Sequence, residues 1–90
     1  MSTILQDEIK KLSKEQELYT GFQADQRQDL EIYRAISNGI TWEGLTISIF
    51  EAKERKEHAI RMINHYQSDI DMRAERLSLL QKMAEAQEVA

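Results

Sequence analysis

Two histidines, His58 and His65, stand seven residues apart, with Glu54 four before the first and Asp69 four after the second. On one helical face those groups would suit an interhelical metal site. The match is weak. Neither a His-x-x-x-His nor a Glu-x-x-His run occurs, and hydrogen bonding or i,i+4 charge pairing along a helix surface accounts for the same residues. No metal is expected. Catalysis has no better footing: the serines and threonines are scattered, there is no nucleophile elbow or glycine-rich phosphate loop, and carboxylates alternate with bases instead of converging. The chain has no Cys, which removes disulfides, thiolate ligands and cysteine nucleophiles together. The expectation is a non-enzyme without cofactor.

Charge narrows the partners. The net charge is -4, whereas a nucleic-acid module of 90 residues normally shows a basic stripe to meet phosphates. Nucleic acid and acidic membrane surfaces are disfavoured. No apolar run reaches membrane-spanning length, and MSTILQDEIKK lacks the apolar stretch and small-residue cleavage site of a secretory signal. Runs such as Glu51-Ala52-Lys53-Glu54-Arg55-Lys56-Glu57 alternate in sign at helical spacing and read as a solvated face.

The elements follow from composition and periodicity. No Pro, three Gly and 31% charged residues suit long helices with a narrow apolar seam, so the chain is expected to be one all-α domain over residues 1–90. From Thr41 onward, alternate steps of four and three pass through Leu45, Ile49, Ala52, Lys56, Ala59 and Ile63. They continue through Tyr66, Ile70, Arg73, Leu77, Leu80 and Ala84. That predicts a helix over about 42–86 packed along a partner helix, with the stems of Lys56 and Arg73 covering apolar surface. Leu45, Ile49, Ala52, Ala59, Ile63, Tyr66, Ile70, Leu77 and Leu80 are its expected interface residues. Ile47, Phe50, Ile60, Met62, Leu79 and Met83 lie off the seam and broaden the apolar face. Met62, Met72 and Met83 could mark an adaptable groove, but such residues more often fill core gaps.

The first half is patchier. Leu5, Ile9, Leu12, Tyr19, Leu30 and Tyr33 form one seam, Leu18, Phe22, Ile32 and Ile36 an adjacent stripe, and Gln23 to Asp29 are polar on both. A helix over about 3–38 is predicted, with a break near 12–21 where Ser13 and Gln16 have the spacing of a capping box and Gly21 weakens the arm. Asn38-Gly39 fits a helix end with Gly39 left-handed and Ile40 completing a Schellman closure, and Thr41 reads as the next N-cap, with Glu43 in the first turn. A turn over 39–41 makes the helices antiparallel neighbours, with Thr3 near Leu77 and the last ten or so residues overhanging.

The residues at the turn carry a resemblance. WEGLTISIFEAKE has Trp42, Gly44, Ser48 and Phe50, and together with the hairpin layout it resembles the WXG, or ESAT-like, family of small type VII secretion proteins. The layout covers the whole chain; the motif covers about residues 41–51. The resemblance implies a hairpin that pairs with its own copy or a related hairpin into a four-helix bundle, made in the cytoplasm and then secreted or held at the cell surface without a cleaved signal. Read without the family, Trp42 can cover the hairpin tip or enter a partner's groove, and Gly44 suggests a close approach by another backbone or by the Trp ring.

Many members of that family carry an aromatic residue followed four positions later by Asp or Glu near the end of helix two. Here Tyr66 is followed at that spacing by Ile70, with Asp69 one short, so Tyr66 and Asp69 form a degenerate signal at best. Phe50 and Glu54 have the spacing at the wrong end. That departure favours a targeting partner, one that binds the N-terminal helical domain of a larger secreted toxin, over a free-standing substrate. Two other readings compete: a structural or phage-type coiled-coil adaptor, and a DNA-binding helix-turn-helix suggested by Ala35, Gly39 and Leu45. The second lacks any Arg or Lys before Lys53 on its would-be recognition helix.

Overall fold

The computed structural model describes residues 3–41, 44 and 46–89, the side chains of Thr3 and Val89 excepted. Two helices account for almost all of them: α1, Thr3–Ser37, and α2, Ile49–Val89. They pack antiparallel as an all-α hairpin, 62 Å long and 20 × 14 Å in cross-section. The radius of gyration, 19.3 Å, exceeds the roughly 12 Å of a globular chain of this length, so the molecule is a rod one helix layer thick.

The end of α1 forms as its sequence predicts. Gly39 adopts φ +89°, its N–H donates to the Ile36 carbonyl (3.0 Å), and the Ile40 N–H donates to the Ala35 carbonyl (3.0 Å). These are the two bonds of a Schellman motif, which needs a residue free to enter the left-handed region.

The start of α2 departs from expectation. The helix begins at Ile49, not near Trp42, so the connection is much longer than a turn over 39–41. Thr41 is not its N-cap. Ser48 is: its Oγ accepts from the Glu51 N–H (3.0 Å) and its carbonyl accepts from the Ala52 N–H (2.9 Å). Ser48-x-x-Glu51 has the spacing of a capping box, but the Glu51 carboxylate is held by Arg55 instead. Gly44 stands in a turn at φ +85°, a conformation incompatible with a right-handed helix. Trp42, Glu43 and Leu45 lie outside the described residues.

The first arm is unbroken, contrary to the expected interruption near 12–21. Ser13 Oγ donates back to the Ile9 carbonyl (2.8 Å) within the helix, and Gln16 reaches across to α2. The polar middle thus stays helical because its side chains are used by the opposite arm. The register shifts with the later start of α2. Glu8 meets Arg76 (3.6 Å) and Gln16 meets the Ile70 carbonyl (2.8 Å), which sets the start of α1 level with roughly residues 81–83 rather than Leu77 and shortens the overhang.

Candidate protein-interaction surface

The seam expected to meet a partner is occupied by the chain's own first helix. Ala52 and Ala59 are fully covered, Ile63 is buried, and Tyr66, Ile70, Leu77 and Leu80 are half-buried. Small residues at 52 and 59 let the α1 backbone approach, and Leu12 and Ile36 supply the buried apolar groups from the other side. Ile49, at the end of the seam, remains half exposed.

Polar groups hold the middle of this contact. Gln23 is 7% exposed, and its Nε2 donates to the Ile63 carbonyl (3.1 Å) and to Gln67 Oε1 (2.8 Å). One turn-pair further along, Arg73 stacks over the Tyr19 ring at 4.6 Å and donates to Gln16 Oε1 (3.0 Å) and Asp69 Oδ2 (2.7 Å), with Glu15 at 3.4 Å. The Asp69 hydrogen bond raises the guanidinium above its ordinary pKa against the opposing effect of burial. Tyr19, Phe22 and Tyr66 form an aromatic cluster with centroids 5.6–6.1 Å apart. Nearer the turn, Arg55 lies 5.6 Å from the Tyr33 ring and donates to its hydroxyl (3.4 Å).

These contacts reassign two of the sequence's candidate groups. Tyr66 belongs to the aromatic cluster and Asp69 to Arg73, so neither is displayed as a free aromatic-acid pair. His58 and His65 are both exposed, and among the described residues no three His, Asp or Glu side chains converge on a common point. Gly44 is exposed, and among the described residues other than its chain neighbours no atom lies within 4 Å of where its Cβ would sit. Its positive φ alone requires glycine; the expected approach by the Trp42 ring lies outside the described residues. Phe50, one residue into α2, is 71% exposed.

What remains open is a stripe beside the seam. A groove between the helices is bordered by Leu12, Glu15, Asp69, Met72, Arg73 and Arg76. Helical periodicity places Ile4, Leu18 and Phe22 on the Glu15 side of it, and Leu79 and Met83 on the Met72 side. All five are exposed or half exposed, as is Met72 at 69%. Leu18, Phe22, Leu79 and Met83 were visible in the sequence as off-seam residues. Their sharing one face with Ile4 and Met72 follows only once the helix register is known. No helix among the described residues is long and apolar enough to cross a membrane. No family model, curated protein or solved structure matches the chain.

Proposed function

We propose that this chain is a WXG-like helical hairpin of type VII secretion that acts by docking other helices, as a secreted substrate or, more specifically, as the targeting partner of a larger secreted toxin. The observation that carries the docking role is the exposed apolar stripe beside a seam already filled by α1. A rod one layer thick leaves that stripe unpartnered, whereas stable domains pack at least two layers around their apolar faces. The secretion role rests on Trp42 and Gly44 in the sequence that connects the two helices of an antiparallel hairpin, with Phe50 exposed at the start of α2. The engagement of Tyr66 and Asp69 inside the hairpin favours a chain that travels with a partner over one recognised by its own acidic signal.

The test is made in the native host with the chain tagged. A larger protein with a helical N-terminal domain should co-purify with it, and deleting the chain should abolish that protein's export. Trp42→Ala should weaken the association while helicity persists. Unchanged export in the deletion strain, with no tagged chain in the medium, would overturn the secretion role.

A further inference from the structure

The sequence has two histidines and four methionines, and all of them except Met1 fall on one face of α2. A single row of alternating four- and three-residue steps holds His58, Met62, His65, Met72 and Met83, displaced from the filled seam by about a quarter-turn of the helix. Core filling does not explain the clustering. Met72 is 69% exposed and Met83 48%, both histidines are exposed, and Met62 is only half-buried. The soft and borderline donors of the chain are thus gathered where a solvated ion can reach them. They stand on adjacent turns in one run, His58-x-x-x-Met62-x-x-His65.

We propose that His58, Met62 and His65 form a binding site for a soft monovalent cation, Cu(I), with Ag(I) as its redox-inert analogue. Side chains on a helix lean toward its N-terminus, so His65 leans over Met62 and Met62 over His58. Residues three and four apart have Cβ atoms roughly 5–6 Å from one another, which lets one ion bridge a thioether sulfur and an imidazole nitrogen. Helix α2 runs unbroken through all three positions, so the ligands are held on a rigid element. Among the described residues no three His, Asp or Glu groups converge, and it is the thioether of Met62 that completes the set.

The donors also choose the ion. Thioether and imidazole together suit Cu(I), which forms stable low-coordinate complexes, so Met62 and His65 make the minimal site and His58 closes it. A zinc ion asks for a tetrahedral shell of nitrogen, thiolate or carboxylate donors. The chain has no thiolate. Asp69, one turn beyond His65, is held by Arg73 at 2.7 Å, and Glu54 stands one turn before His58, on the far side from Met62 and His65. The site stands on these residues alone and goes beyond the secretion reading.

The test uses the untagged full chain, in which the absence of cysteine leaves no thiol to compete for a soft ion. Ag(I), titrated in chloride-free buffer, should bind as a single equivalent and move the ring signals of His58 and His65 and the methyl signal of Met62 in NMR spectra. Cu(I), kept reduced without air and competed against a chromogenic chelator, should bind with the same stoichiometry. Met62→Leu keeps an apolar, helix-favouring side chain and should weaken Ag(I) binding roughly tenfold or more, as should His65→Ala. Met72→Leu, further along the same row, should leave it unchanged. No Ag(I) binding at about 100 μM protein would overturn the site. So would Met62→Leu or His65→Ala binding as tightly as wild type, methyl shifts confined to Met1, or Zn(II) held as tightly as Cu(I).

Discussion

Gln23 of α1 buries its amide against α2 and donates to the main-chain carbonyl of Ile63, 3.1 Å away, while the same nitrogen reaches Gln67. An apolar seam alone tolerates sliding by a heptad, and a bond to a main-chain carbonyl could re-form after such a slide. The Gln23–Gln67 contact could not, because a seven-residue shift puts Ile60 or Ala74 in place of Gln67. Gln16, seven residues earlier, bonds the Ile70 carbonyl in the same way and accepts from Arg73, so side-chain partners mark the antiparallel register twice.

Removing that marker should be costly or cheap depending on what replaces it. Gln23→Ala loses two hydrogen bonds and leaves a gap, and should destabilise the hairpin by about 1–2 kcal/mol. Gln23→Leu should be close to neutral in stability, because an apolar group of similar size suits the seam. Urea denaturation of both variants checks the contrast.

The start of α2 is tested at its cap. Ser48→Ala should cost about 1 kcal/mol, through loss of the bond to the Glu51 N–H. Thr41→Ala should change stability by less than about 0.5 kcal/mol, as an exposed position in the connection. Equal effects at the two sites would contradict a helix that begins at Ile49.

The glycines should separate by backbone angle. Gly39→Ala and Gly44→Ala force a side chain into the left-handed region and should each destabilise by about 1–2 kcal/mol. Gly21 lies inside α1 with open space around it, so Gly21→Ala should stabilise by up to about 1 kcal/mol. Thermal unfolding of the three variants gives the comparison.

Arg73 is the charged residue most closely built into the seam. Arg73→Ala loses the stacking on Tyr19 and the bonds to Gln16 and Asp69, and should destabilise by about 1–3 kcal/mol. The raised guanidinium pKa means that its contribution is fully present below the ordinary arginine value and is lost only as pH rises beyond it. The penalty should therefore be the same at pH 6 and pH 9 in parallel melts.

Most of the architecture was legible in the sequence because it rests on local signals. The four-three apolar spacing after Ile49 marks the seam, and Asn38-Gly39-Ile40 marks the end of α1 down to its individual hydrogen bonds. The start of α2 was misread because Thr41 is also a good cap residue, while the stronger Ser48-x-x-Glu51 signal lay one segment further on. Gly44 reads in the sequence as a sign of close approach, because a W-x-G run placed in a helix gives no reason for a positive φ; the left-handed turn it occupies shows only in the backbone geometry. The polar middle of α1 looked like a weakness because a sequence shows Gln16 and Gln23 without the carbonyls they reach.

The same gap explains the partner face. Periodicity identified the best apolar seam, and the nearest available helix, α1, takes it. The surface left for another molecule is the second-best stripe, split between two arms, and its unity depends on register that no single segment specifies.

The most direct test of this division compares two single cysteines, Ala59→Cys on the filled seam and Leu18→Cys on the open stripe, by their rates of thiol alkylation. Ala59→Cys should react slowly at every protein concentration. Leu18→Cys should react fast in dilute protein and slow markedly as the chain is concentrated or bound to its host partner. Fast labelling at Ala59, or a Leu18 rate unchanged by concentration and by partner alike, would contradict a hairpin that closes its own seam and docks through the stripe beside it.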